Sequence, residues 1–116
     1  MRVQLKTDRH IEAHGELAHQ VETVMEGTVG RFAGQITRVE VHLSDENSQK
    51  GGGDDKRCLL EARLAGLEPI AVSHQAATLP QAIDGAAQKL ARALESTLGR
   101  LGHKKGRPSY GGNQNI

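Results

Sequence analysis

The stretch that decides the fold class is residues 35–46, Gln-Ile-Thr-Arg-Val-Glu-Val-His-Leu-Ser-Asp-Glu, because it alternates apolar with polar residues. Successive side chains of a β-strand point to opposite faces, so Val39, Val41 and Leu43 share one face and the polar residues between them share the other. A strand that is apolar on one face only is typical of an antiparallel or mixed sheet with one open face.

Three further stretches show strand patterns around this one. Residues 2–6 alternate as a short first strand, residues 56–65 place their apolar members on one face, and residues 70–74 follow a tight connection. Residues 47–55 contain three consecutive glycines and two aspartates, a composition that predicts a flexible hairpin connection. The sequence therefore predicts four strands.

Two stretches show the spacing of helices. Residues 13–29 repeat apolar side chains every three or four positions, and Gly30 and Gly34 follow where the helix should end. Leu79 and Pro80 open a second helix of about 22 residues, because proline fits the first turn of a helix. Its apolar stripe is formed by Ile83, Ala87, Leu90, Leu94, Leu98 and Leu101.

These elements predict an α+β fold of order β-α-β-β-β-α. The two helices cover one face of a four-stranded mixed sheet, since a helix between the first two strands allows them to lie parallel. The length of 116 residues favours one domain, over residues 1–103. Residues 104–116 lack an apolar period and predict a flexible basic tail.

Composition narrows the classes of function. The net charge is +1, but residues 1–55 hold 6 cations and 10 anions, whereas residues 56–116 hold 9 cations and 4 anions. The two aromatic residues, Phe32 and Tyr110, are too few for a protein that stacks single-stranded bases on exposed rings. Without an apolar run that could cross a membrane, and with a single cysteine, the sequence predicts a cytoplasmic protein.

No arrangement of nucleophile and base is visible, so we expect neither an enzyme nor a small-molecule substrate. Cys58 lies in the apolar phase of its strand and should be a buried core residue. His10, His14 and His19 are the best candidates for metal ligands, but their spacing points them in different directions and no further ligand completes the set. We therefore expect no metal and no other cofactor.

A stronger indication of function than Cys58 or the histidines is a basic stripe opposite the apolar face of the second helix. It consists of Lys89, Arg92, Arg100 and Lys104, and it continues into Lys105 and Arg107. On physical grounds alone, two interpretations stay open. The stripe is either a solvated outer face, as on most surface helices, or a surface that binds phosphates.

A resemblance favours phosphate binding. Residues 81–94, Gln-Ala-Ile-Asp-Gly-Ala-Ala-Gln-Lys-Leu-Ala-Arg-Ala-Leu, resemble the second helix of the ribosome hibernation-promoting factor and ribosome-associated inhibitor family, short form. Arg31-Phe32, Ile36 and the alternating strand at residues 39–43 are similar to that family's entry into its second strand. The order of elements is also the family's order, so the resemblance covers about residues 1–104.

The resemblance implies a non-enzymatic factor that binds the small ribosomal subunit and its rRNA, in the channel of mRNA and tRNA, and holds ribosomes inactive under stress. Lys89 and Arg92 match basic positions of the family's second helix, and Arg31 matches one at the end of the first. We add Arg100, Lys104 and Lys105, the remaining cations of the predicted RNA-binding set, by the stripe argument.

One departure leaves a second hypothesis open. The first helix carries acidic residues, including Glu22 and Glu26, where the family usually has lysines. The alternative is therefore a protein-interaction module of the same fold that has lost ribosome binding and that binds a protein through this helix or through an edge strand. The sequence does not indicate whether the protein associates with itself.

Overall fold

The computed structural model describes residues 1–8, 11, 14–45 and 56–104, with side chains as far as Gly99. Within these residues the chain forms the four predicted strands and two predicted helices, so the α+β prediction is confirmed. In chain order the elements are β1 (Arg2–Thr7), α1 (Gly15–Val29), a short 3-10 helix (Gly30–Phe32), β2 (Ile36–Asp45), β3 (Lys56–Leu64), β4 (Ile70–Ala76) and α2 (Leu79–Lys104).

The sheet is mixed, as predicted, and its strands follow one another in the order β1-β2-β3-β4. β1 pairs with β2 in parallel, with Val3 opposite Val39, and the other two pairings are antiparallel. The pairing of β2 with β3 shifts its register between Ile36 and Arg38. Beyond this irregularity, residues on the same face of neighbouring strands stay aligned across the whole sheet.

Side-chain caps explain where the helices begin. The Nδ1 atom of His14 accepts a hydrogen bond from the backbone N–H of Leu17 at 3.0 Å, at the start of α1. The Oγ1 atom of Thr78 accepts a hydrogen bond from the backbone N–H of Gln81 at 3.3 Å, at the start of α2. Each bond satisfies one of the first N–H groups of a helix, which have no partner within the helix.

Both helices pack on one face of the sheet and enclose a single core. Burial removes apolar side chains from water and is the main favourable contribution to folding. Small residues in the first half of α2, Ala82 and residues 85–87, allow this helix to approach the strands closely. The largest fully buried side chains are those of Met25, Leu43, Leu60, Ile83, Leu90, Leu94, Val21, Val29, Val39, Val41 and Cys58.

α2 approaches the sheet closely at Gly85. A Cβ atom at this position would overlap the ring of His74, which belongs to β4 and lies opposite Cys58 of β3. Glycine is therefore required here by space. At Gly66, in the turn between β3 and β4, it is favoured by a φ of 75° that other residues rarely adopt.

Some sequence predictions fall outside what the structure describes. The connection at residues 47–55 and residues 105–116 are among them, and the division into a domain and a tail stays a prediction. α2 itself extends to Lys104. None of the described helices is long and apolar enough to cross a membrane.

Candidate nucleic-acid interface

Lys89 and Arg92, predicted from α2, both lie exposed on this helix. The Nζ atom of Lys89 donates a hydrogen bond to the backbone carbonyl of Ser73 at 3.0 Å. Ser73 belongs to β4, which is an edge strand of the sheet. A lysine at the edge of a sheet discourages pairing with another strand, so Lys89 has a structural role in addition to its charge.

Arg31 lies just beyond α1, in the 3-10 helix. Its NH2 atom is 3.0 Å from the Oε2 atom of Glu95 on α2, and its guanidinium lies 4.7 Å from the centroid of the Phe32 ring. Both charged side chains are 60% exposed, so the ion pair contributes little stability, under about 1 kcal/mol. The carboxylate nevertheless offsets the positive charge that Arg31 was predicted to offer to RNA.

The other predicted cations cannot be placed. The side chains of Arg100 and Lys104 are not described, and Lys105 lies outside the described residues altogether. Their part in RNA binding therefore stays a prediction, as it does for Arg31, Lys89 and Arg92.

The helical side of the protein is acidic where its side chains are described. On α1, the 3-10 helix and α2 as far as Gly99, three exposed cations face five exposed carboxylates, which gives a net charge of −2. Arg100 and Lys104, the cations of α2 whose side chains are not described, would bring this sum to 0. The cations are Arg31, Lys89 and Arg92, and the carboxylates belong to Glu16, Glu22, Glu26, Asp84 and Glu95.

The opposite side of the sheet is basic. We call this surface the open face; no helix or strand of the described structure covers it. Five cations and two carboxylates lie on it, which gives a net charge of +3 with neutral histidine. The cations are Arg2, Lys6, Arg38, Arg57 and Arg63, and the carboxylates belong to Glu40 and Glu61.

Three of these cations form a row across neighbouring strands. Arg2 of β1 lies opposite Arg38 of β2, and Arg38 lies opposite Arg63 of β3. With about 4.8 Å between strands, the Cα atoms of the row span about 10 Å. Like charges directly opposite one another destabilise a sheet, so such a row requires a nearby negative charge.

Glu40 supplies that charge from the same face of β2, two residues after Arg38. Its side chain is 11% exposed, and its carboxylate oxygens lie 2.8 Å from Arg38 NH2, 3.7 Å from Arg63 Nε, 3.9 Å from Lys6 Nζ and 3.6 Å from His42 Nε2. Burial alone would raise the pKa of Glu40, but the three cations and the hydrogen bond with His42 outweigh it and hold the pKa below its ordinary value. Glu40 is therefore ionised at neutral pH.

The two carboxylates do not neutralise the whole open face. The Oε1 atom of Glu61 lies 3.5 Å from the NH2 atom of Arg63. For Arg2 and Arg57, the structure shows no carboxylate within 4.0 Å among the residues it describes. A guanidinium presents several N–H donors in a planar fork, which matches the oxygens of a phosphate group.

The residues considered as a nucleophile or as metal ligands either have structural roles or do not cluster with one another. Cys58 is fully buried, as predicted, and burial raises the pKa of its thiol to about 12. His14 caps α1, His19 is exposed on the same helix, and His10 lies outside the described residues. The described part of the chain holds no group of three or more histidine, cysteine, aspartate or glutamate side chains that could bind a metal ion.

The pattern of the sequence alone does not reveal the open face as a basic surface. Arg2, Lys6 and Arg38 belong to the half of the sequence with a net negative charge, so a count along the chain conceals them. The available signal was the alternation of each strand, which places them opposite the apolar residues. Adding their charges to those of β3, however, requires the register between strands, which the pattern alone does not supply.

The fold is shared with solved structures. The N-terminal domain of Protein Y from Thermus thermophilus superposes with a TM-score of 0.67 at 22% sequence identity, over 84% of this chain and 99% of that one. A ribosomal subunit interface protein from Coxiella burnetii superposes with a TM-score of 0.68 at 16% identity, over 85% of this chain and 99% of that one. At these identities the likeness shows the fold alone. A comparison with curated proteins found no match.

The sequence itself matches a family model. The model is described as sigma 54 modulation protein / S30EA ribosomal protein, and the match extends over residues 6–101, from β1 to near the end of α2. This match covers most of the chain, confirms the family that the resemblance indicated and gives the protein a ribosome-related role. The chain therefore belongs to the sigma 54 modulation protein / S30EA ribosomal protein family.

Proposed function

We propose that this protein binds the small ribosomal subunit in the cytoplasm through contacts with rRNA phosphates, and that it holds ribosomes inactive under stress. The observation that carries the proposal is an exposed basic surface, with a net charge of +3, on a member of a family with a ribosome-related role. One of the structural neighbours is described as a ribosomal subunit interface protein, which supports the same assignment.

The physical properties of the chain suit a protein that recognises RNA by its phosphate backbone and its overall shape. Phosphate contacts need positive charge on a rigid scaffold and do not need aromatic rings to stack on bases. The sheet provides the scaffold, and arginine provides the charge together with directed N–H donors. Cys58 is not proposed as a nucleophile, because its thiol is buried and a pKa of about 12 keeps it protonated.

Co-sedimentation with purified small subunits at low and at moderate salt tests this function. Phosphate contacts release counterions, so we expect association at about 50 mM salt that weakens steeply toward about 200 mM. Purified large subunits serve as the control for general attraction to rRNA. The absence of association, or association that does not change with salt, would contradict the proposal.

The residues predicted from the sequence are tested in the same assay. If Lys89 and Arg92 contact rRNA, the charge reversals Lys89→Glu and Arg92→Glu each weaken co-sedimentation and lower its dependence on salt. Unchanged co-sedimentation of both variants would remove these two residues from the proposed site.

A second candidate function follows from the acidic surface of α1. Glu16, Glu22 and Glu26 are exposed on this helix, and no described cation lies on it, which suits a basic protein partner. Pull-down from a lysate depleted of ribosomes, with wild type and with Glu22→Lys, separates the two functions. A partner that wild type captures and Glu22→Lys does not capture would favour this candidate.

A further inference from the structure

We propose that the open face of the sheet is the principal surface by which this protein binds RNA phosphates. The centre of this surface is the row formed by Arg2, Arg38 and Arg63, flanked by Lys6 and Arg57. The inference rests on the proposed function, because it assigns the phosphate contacts of that function to one side of the molecule.

The first argument is accessibility. The side chains of Lys6, Arg38 and Arg63 are 58%, 34% and 44% exposed, and Arg2 is exposed as well. α1 and α2 pack on the other side of the sheet, so a polyanion can approach these side chains without any movement of the described helices.

The second argument is the fixed arrangement of the charges. The hydrogen-bonded register of three strands sets the spacing of the arginine row. Glu40 also holds Arg38 at 2.8 Å and lies 3.7 Å from Arg63, which limits the motion of both side chains. A guanidinium that is already oriented loses less conformational entropy when it binds a phosphate.

The third argument compares the two sides of the molecule. The open face has a net charge of +3, whereas the described side chains of the helical side have a net charge of −2, which becomes 0 when Arg100 and Lys104 of α2 are added. A polyanion is therefore attracted more strongly to the sheet.

The composition of the open face favours RNA over an acidic protein. Leu59 and Ala71 are the only apolar residues that the described strands present there, and no aromatic residue accompanies them. The centre of a protein interface is usually apolar or aromatic and depleted of charge, whereas interfaces with nucleic acid are polar and basic.

Two double variants with the same loss of charge test the inference. Arg2→Gln with Arg57→Gln removes two cations from the open face that have no described carboxylate partner, so no described ion pair is broken. Lys89→Gln with Arg92→Gln removes two cations from α2 and is the matched control. Dissociation constants are measured over a salt series with purified small subunits and, separately, with a short RNA duplex, after urea unfolding has shown that both variants fold.

Each lost phosphate contact lowers the slope of log K against log salt by about 1. For the variant of the open face, we expect the slope to fall in magnitude by about 2, both with small subunits and with the RNA duplex. For the α2 variant we expect a smaller decrease. An α2 variant that loses as much or more, or a variant of the open face with an unchanged slope, overturns the inference. An unchanged slope on small subunits would indicate contact with ribosomal protein instead of phosphate.

A pair of variants that each lose one negative charge gives a second readout. Glu61→Gln removes a carboxylate beside Arg63 on the open face, and Glu22→Gln removes one from α1. We expect tighter binding for Glu61→Gln than for Glu22→Gln, and the reverse order overturns the inference.

The two ligands separate failure of this inference from failure of the proposed function. Binding to the duplex through the open face, without binding to small subunits, would retain the surface and reject the ribosomal role. Binding to small subunits that depends mainly on Lys89 and Arg92 would retain the role and reject the surface. The absence of binding to either ligand would reject both.

Discussion

Replacement of Gly85 by alanine tests how closely α2 packs on the sheet. A Cβ atom at this position would lie 2.6 Å from the Cγ atom of His74, which joins the ring to the rest of the side chain. The whole side chain of His74 or the helix must therefore move. Overpacking of this kind costs about 1–3 kcal/mol. Alanine also favours a helix over glycine by about 1 kcal/mol, which partly offsets that cost.

Gly99→Ala is the matched control, because it lies in the same helix and its Cβ atom would meet nothing within 4 Å. The gain in helix propensity is common to both variants and cancels in their difference. We therefore expect Gly85→Ala to be less stable than Gly99→Ala by about 1–3 kcal/mol, the cost of the overlap. In urea unfolding this difference corresponds to about 1 M in the midpoint.

The double variant His74→Ala with Gly85→Ala identifies the cause. Without the ring, the new methyl group has space, so the cost of Gly85→Ala should largely disappear in the His74→Ala background. Residues in contact show such non-additive effects. Equal midpoints for Gly85→Ala and Gly99→Ala, or a cost that persists without the ring, would refute the close packing described here.

Two further predictions concern Glu40 and Cys58. Because the pKa of Glu40 is lowered in the folded state, its ionised form stabilises the fold above its unfolded pKa of about 4.3, and this contribution is lost as the pH falls through the folded pKa. The stability of wild type relative to Glu40→Gln, from urea midpoints, should thus shrink as the pH falls below about 5; a difference that does not shrink there would argue against the cation cluster. For Cys58, buried with a thiol pKa of about 12, alkylation at neutral pH should proceed only as fast as the protein unfolds, and rapid modification of the folded protein would contradict its burial.

Much of the fold could be predicted because local and global signals agree. The alternation of β2 identified its buried face, and the apolar stripe of α2 identified the side that packs on the sheet. These patterns depend only on the repeat of a strand or helix, which the sequence contains directly. The contact between Gly85 and His74 could not be predicted, because it depends on the distance between α2 and β4.

The candidate site was predictable only in part, because charge was summed along the chain. This sum showed a basic second half and drew attention to Lys89 and Arg92 on α2. In three dimensions, Arg2 and Lys6 join Arg63 on one face, although they lie far apart in the sequence. Strand pairing brings such residues together, and the alternation of a single strand does not specify its partner's register.

The most direct test is a structure of this protein bound to the small ribosomal subunit, determined by cryo-electron microscopy. The measured quantity is the distance from each rRNA phosphate to the guanidinium groups of Arg2, Arg38 and Arg63. The proposed surface predicts phosphates within hydrogen-bonding distance of this row, with α1 directed away from the rRNA backbone. A complex in which the helices face the rRNA and the open face contacts none would contradict it.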